Sequence, residues 1–195
     1  MPGAKEDKAL PKPIARAELV GNFLIIWDIG EARAVYKLGF YGKPLGIPKP
    51  KGPDFDAPLI LDLMEGLYLL EKGLIEVYSG PGGRAIGPDE LKEVGRSVHE
   101  DFDAKYAVYK DLREKGLVVT SGIKFGCDFA VYRLGPGLEH APFLVSVRRP
   151  GDDLTATEIV RAGRLATTVR KRFVVAVVDE AVGDIRYLIF KWFRA

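Results

Sequence analysis

Cysteine is all but missing from this 195-residue chain, where Cys127 stands alone. One thiol cannot build an internal disulfide framework, nor supply a Cys-rich zinc site. Such usage fits a reducing, cytoplasmic setting. Histidine is nearly as scarce, with only His99 and His140. The N-terminus, Met1 to Arg16, is polar and proline-containing, and it lacks an apolar stretch long enough for a signal peptide or membrane span. It reads as a frayed tail, and no membrane partner is expected. A large excess of charge of one sign is also missing, the net charge being +2.

That small net charge is unevenly placed. Residues 1–103 carry 13 Lys and Arg against 17 Asp and Glu, whereas residues 104–195 carry 16 against 10. An acidic first half joined to a basic second half suggests a polyanion held by the second half, although chance variation in a small domain gives similar numbers. Apolar residues make up 47%, enough for a core, and the 22 glycines and 13 prolines are dispersed. The chain is therefore loop-rich but globular, long enough for one large domain or two small ones.

Ala17 to Tyr41 is rich in β-formers, with Leu19, Val20, Phe23 to Trp27 and Ala34 to Tyr36 punctuated by glycines, and it reads as two or three short strands. Gly42 to Asp56 holds Pro44, Pro48, Pro50 and Pro53 with Lys43, Lys49 and Lys51, and has no period. A loop of that length is usually functional or mobile. Leu59, Leu63, Leu67 and Leu70, stopped by Gly73, predict a helix over Ala57–Lys72. Leu74–Val77 is a strand candidate, and Pro88–Val98 a short helix. Asp101 or Asp103 is expected to cap a helix over Ala104–Lys115, buried along Tyr106, Val108, Tyr109 and Leu112 and ended by Gly116.

Strands then follow at Leu117–Val119, Phe129–Tyr132 and Phe143–Val147, a helix from Thr157 to about Arg170, a doubly buried strand at Phe173–Val178, and a last strand at Ile185–Trp192. The fold class is α/β (α+β). A small mixed N-terminal domain, residues 1–102 with its Pro/Lys-rich loop at about 42–56, precedes a C-terminal domain, 103–195. The latter reads α-β-β-β-α-β-β, a mixed sheet flanked by helices.

Three side chains in the second half suit one chemistry. When an RNA 2′-hydroxyl attacks its own adjacent phosphorus, the nucleophile is already tethered. The site must take a proton from the 2′-oxygen, give one to the leaving 5′-oxygen, and stabilise the crowded phosphorane. Tyr132, His140 and Lys171 match those tasks in type: a phenol for the first proton, an imidazole for the second, an ammonium for the charge. The phenol is the weak member, because its reference pKa of about 10 must be lowered by nearby cations. Each residue also has an ordinary place. Tyr132 ends an apolar strand as rim tyrosines do, His140 stands in a turn, and Lys171 lies in Arg170-Lys171-Arg172 at a helix end, where cations are favoured.

Taken together, the residues from Tyr106 to Val147, Y-x-V-Y-x-D-L-R-x-x-G-L-V-V, G-x-K-F-G-C-D-F-x-V-Y and E-H-A-x-F-L-V, resemble the C-terminal half of archaeal tRNA-splicing endonucleases. V-R-K-R-F-V-V-A-V-V-D, from Val169, continues the likeness. It is close over residues 100–195, loose over 57–100 and slight over the first 56. The resemblance implies a tRNA-intron endonuclease, specifically a catalytic subunit of crenarchaeal type. In it Tyr132 is general base, His140 general acid and Lys171 transition-state stabiliser. It further implies cutting at bulge-helix-bulge junctions of precursor tRNA, with no metal or cofactor, leaving 2′,3′-cyclic phosphate and 5′-hydroxyl ends.

Arg164 and Arg186 match two arginines that sandwich a bulge base in the opposite subunit's site. Arg164, seven residues before Lys171, shares a face with it if the helix runs that far. The family's tetrameric assembly maps onto the acidic loop Asp179, Glu180 and Asp184, with an apolar dimer face from Tyr187 to Phe190 plus Trp192 and Phe193. The loop around Lys43 resembles a crenarchaeal insertion linked to broader substrate choice and to α2β2 assembly with a non-catalytic partner, the alternative being a homotetramer. Lys43 is then an RNA-phosphate contact. The Arg133–Glu139 connection is compact and rigid, a departure that bears on where His140 stands. Two other functions compete: a non-catalytic, RNA-binding structural subunit, which has no need to retain all three side chains, and an unrelated basic α/β domain, which leaves the long motif unexplained.

Overall fold

Ala15–Val20 (β1) and Phe23–Ile26 (β2) form an antiparallel hairpin that turns at Gly21, φ 59°. The structure is a computed structural model and describes residues 12–48, 50–168 and 171–190, the side chains of 165–168 excepted. Most of the expected tail, and Lys49, Arg170, Trp192 and Phe193, lie outside the described residues. The chain divides into two compact units, Met1–Val98 and His99–Ala195.

In the first unit the third expected strand is a helix, α1, over Ile29–Gly39. The Asp28 carboxylate accepts from the Glu31 amide at 2.9 Å and starts it. Ala32, Val35 and Tyr36 are buried at helical spacing, so the β-former content of Ala34–Tyr36 was overridden by a capped, amphipathic turn. Lys43–Pro44 (β3) pairs with Leu59–Leu61 (β4). Leu59 is thus on a strand, and the helix expected from residue 57 starts later, as α2 over Leu63–Glu71. Asp62 and Glu65 form a reciprocal capping box there, which sets the boundary. Buried Glu65 also accepts from the Gly42 amide at 3.0 Å, fixing where the proline-rich loop begins. Ile75–Tyr78 (β5), Ala85–Ile86 (β6) and the helix Pro88–Val98 (α3) complete the unit. Its mixed sheet runs β3-β4-β2-β1-β5-β6, with β1 and β5 parallel.

The second unit opens with α4, Phe102–Glu114. Asp101 stands at its N-cap in a left-handed conformation and makes no side-chain cap, contrary to expectation, because its carboxylate binds Arg149 at 2.8 Å. Val118–Ser121 (β7), a short turn at Ile123–Phe125, Phe129–Tyr132 (β8), Phe143–Arg148 (β9), Ala156–Thr168 (α5), Arg172–Asp179 (β10) and Asp184–Phe190 (β11) follow. The sheet order is β11-β10-β9-β8-β7. Only β9 and β10 are parallel, and α5 is the crossover such a pair demands. β10, flanked by β9 and β11, is buried along Phe173–Ala176, as its apolar run requires.

Successive residues of a strand face opposite sides of the sheet. Phe129 meets Tyr109 of α4, whereas its neighbour Ala130 packs with Ala162 of α5, so the helices cover the two faces. This is the mixed α/β arrangement with helix-flanked sheet that the sequence implied. Among the described residues no helix is long and apolar enough to cross a membrane.

Candidate active site

Strand pairing gathers the candidate residues at one end of the second sheet. Antiparallel pairing sets Val131 of β8 opposite Phe143 of β9, and parallel pairing sets Phe143 beside Arg172 of β10. That row crosses three adjacent strands about 4.8 Å apart. Tyr132 is one residue past the row on β8, and Lys171 one residue before it on β10. By strand alternation, Tyr132 projects to the side opposite Val131. There it packs on Cys127, Ala130, Ala141, Leu144, Ala162, Phe173 and Val175, the face covered by α5.

The Lys171 ammonium donates to the Ala141 carbonyl at 2.7 Å and lies 5.1 Å from the Phe125 ring centroid. Burial lowers its pKa below the ordinary lysine value. The Arg172 amide donates to the Pro142 carbonyl at 2.8 Å. The stretch just after His140 is therefore stitched twice to the start of β10. His140 itself is exposed.

The connection from Tyr132 to His140 is latched by Glu139. Its Oε1 accepts from the Arg133 amide at 2.5 Å and the Leu134 amide at 2.6 Å. Gly135 and Gly137 take φ of 132° and 87°, and the Gly135 carbonyl accepts from the Leu138 and Glu139 amides. One carboxylate thus joins the residue after Tyr132 to the residue before His140. The sequence implies a rigid Arg133–Glu139 loop but does not mark Glu139 as its latch. The available signal was an acid closing a Gly-Pro-Gly turn, a common acceptor for exposed loop amides.

The Lys124–Phe129 motif builds the support beneath. Phe125 carries the Lys171 ammonium. Gly126 has φ 67° and its carbonyl accepts from Arg161 of α5, whose Nη1 would stand 2.9 Å from a Cβ there. The Cys127 thiol is buried, which pushes its pKa up to about 11. Asp128 accepts from the Val147 amide at 2.8 Å and pairs with Lys105 at 3.4 Å, so it is a structural acid.

The remaining predicted residues are not gathered here. Arg186 faces Val177 on β10, six residues beyond Lys171, which is roughly 20 Å along the strand. Its guanidinium pairs with Asp184 at 2.8 Å. Arg164 is exposed on α5, and Lys171 lies outside that helix, so the seven-residue spacing does not put the two on one helical face. In the β10–β11 connection Asp179 accepts from the Ala181 amide at 3.1 Å, and Glu180 reaches Arg149 at 4.0 Å. Lys43 is exposed on β3 of the first unit. A cleft of about 300 Å³, lined by Ile47, Pro50, Lys51, Gly52, Asp54 and Phe55, also belongs to that unit and holds none of the candidates.

Residues 102–187 match the family described as tRNA intron endonuclease, catalytic C-terminal domain, and residues 15–92 match tRNA intron endonuclease, N-terminal domain. The chain belongs to the tRNA intron endonuclease family. It is 50% identical over 177 residues to a tRNA-splicing endonuclease of Hyperthermus butylicus, covering 91% of this chain and 97% of the relative. A tRNA-splicing endonuclease of Saccharolobus islandicus is 46% identical over 182 residues, covering 93% and 100%. One from Sulfurisphaera tokodaii is 44% identical over 178 residues, covering 91% and 98%. The likeness thus includes the first half, where the motifs alone had shown little.

Proposed function

We propose that this chain is the catalytic subunit of an endonuclease that removes introns from precursor tRNA. It cuts at bulge-helix-bulge junctions and needs neither metal nor cofactor. The observation that carries this reading is the convergence of Tyr132, the His140 segment and Lys171 at one end of three neighbouring strands, with the Lys171 ammonium held on the Ala141 carbonyl.

Tyr132 takes the proton from the 2′-hydroxyl as the 2′-oxygen bonds to phosphorus. The phosphorane carries extra negative charge on its non-bridging oxygens, and the Lys171 ammonium offsets it. His140 gives its proton to the 5′-oxygen as that bond breaks. The products are a 2′,3′-cyclic phosphate and a 5′-hydroxyl. A bulge serves such a site because unstacked nucleotides reach the in-line geometry that a continuous helix forbids.

Arg164 and Arg186 clamp a bulge base in the site of the opposing chain, and Lys43 contacts RNA phosphate. The Asp179, Glu180 and Asp184 loop joins subunits in a tetramer, either homomeric or α2β2 with a non-catalytic homologue. The cytoplasm is the compartment that fits a precursor-tRNA substrate and a lone buried thiol.

The test is cleavage of a bulged RNA in EDTA. Cleavage to cyclic-phosphate ends is expected, with His140→Ala lowering the rate by about 10²-fold or more. Cleavage that stops in EDTA, or survives His140→Ala undiminished, would overturn the mechanism. Binding without cleavage by the chain alone, with cleavage in the presence of a partner chain that survives His140→Ala, would make the chain a structural subunit instead.

A further inference from the structure

Two arginines stand at the same end of the sheet on its other face. Arg133 directly follows Tyr132, and Arg172 directly follows Lys171. The Arg133 guanidinium lies 5.4 Å and the Arg172 guanidinium 5.7 Å from the centroid of one ring, Phe143. Both side chains are exposed, and among the described residues neither has a carboxylate within 4.0 Å. Among the described residues, other arginines of this unit are engaged with carboxylates: Arg148 with Glu158, Arg149 with Asp101, Arg186 with Asp184.

We propose that Arg133, Phe143 and Arg172 form a phosphodiester-binding fork that holds the RNA backbone beside the scissile linkage. Two like charges gathered on one ring repel each other unless an anion lies between or across them. The ring fixes their long side chains, so less rotamer freedom is lost when a phosphate arrives. A guanidinium matches two phosphate oxygens with parallel N–H donors, as an ammonium does not. Strand pairing ties both arginines to the catalytic end, because Phe143 sits between Val131 and Arg172 in the row that also orders Tyr132 and Lys171. The fork rests on the function proposed above, since it needs an RNA cut at this sheet end.

The experiment measures binding of an uncleaved bulged RNA in a His140→Ala background over a range of salt. Arg133→Gln and Arg172→Gln are each expected to weaken binding by about 3- to 10-fold near 0.1 M salt. The double variant should reduce the slope of log K against log[salt] by roughly 1 to 2, the loss expected for two phosphate contacts. Bulged and fully paired RNA should suffer alike, because phosphate contacts carry no sequence. Unchanged affinity and slope in the double variant would overturn the fork. So would weaker binding accompanied by an unchanged slope and a lowered melting temperature, which marks simple packing on Phe143. Failure of the parent to bind or cut bulged RNA is a different result and removes the functional reading itself.

Discussion

Glu139 and Lys171 act at the scale of single residues: the Glu139 carboxylate ties the residue before His140 to the Arg133 and Leu134 amides, and the Lys171 ammonium holds the Ala141 carbonyl just after it. Replacing Glu139 by alanine removes the acceptor for two exposed loop amides. Water can serve those amides, so stability should fall by no more than about 1 kcal/mol. The His140 segment loses its latch, and misplacing a proton donor by about an ångström costs on the order of 10²-fold in rate. Glu139→Ala is therefore expected to slow single-turnover cleavage at saturating RNA by about 10- to 100-fold, while Glu139→Gln, which keeps a carbonyl acceptor, restores most of it. Equal rates for all three proteins would show that the loop positions His140 without the latch. Lys171 has a pKa lowered by burial, so its charge is lost at a pH below that of an ordinary lysine. Cleavage should fall along an alkaline limb set by that lowered value. A pH–rate profile of Lys171→Arg should lack this limb, because a guanidinium stays charged. The residue types were legible in the sequence. Their placement at one sheet end was not, since His140 and Lys171 are 31 positions apart and the parallel pairing of β9 with β10 is what brings the segment after His140 beside Lys171.

At the scale of elements, local signals succeeded where capping and burial agreed and failed where they competed. Val174 to Ala176 reads as a doubly buried strand and is one, because a continuous apolar run has few other homes. Ala34 to Tyr36 carries strand-forming residues, yet an Asp28 cap and a buried stripe at Ala32, Val35 and Tyr36 make it helical. Leu59 keeps the four-residue spacing of a helix with Leu63 and Leu67, but the Asp62 cap starts a new element between them. The crossover helix α5 shows how a cap can be tested. Glu158 accepts from the Thr155 amide at 2.9 Å and hydroxyl at 2.8 Å and is paired with Arg148 of β9. These bonds hold its carboxyl down at about 2, the backbone bond to Thr155 counting most. A depressed carboxyl stabilises the fold above its unfolded pKa, and that contribution drains away as pH falls through the folded value. Chemical denaturation of Glu158→Gln should show a stability deficit near pH 6 that shrinks between about pH 4.5 and pH 2. A deficit that stays constant over that window would place its cause in packing.

For the whole molecule, the placement of Arg186 decides what a complete site requires. It lies on β11 opposite Val177, roughly 20 Å along the sheet from the Lys171 end, so the catalytic residues proposed for its own chain are beyond its reach. If Arg186 holds a substrate base, it does so for a neighbouring chain, and the proposed assembly becomes part of the chemistry. Two inactive variants can then repair each other. A His140→Ala chain still offers Arg186, and an Arg186→Ala chain still offers His140. In a symmetric pair of catalytic chains, each hybrid holds one intact site of two. Equal mixing with random pairing makes half the pairs hybrid, so refolding or co-expressing the variants together should recover about a quarter of the parental cleavage, well above the sum of the separate variants. Action within one chain would leave the mixture at that sum, because every His140-bearing chain would then lack its own arginine. Full activity of Arg186→Ala by itself would remove the residue from the reaction altogether. Recovery that disappears when Asp179, Glu180 and Asp184 are changed to their amides would tie the exchange to the acidic β10–β11 connection, whose carboxylates the proposed tetramer uses.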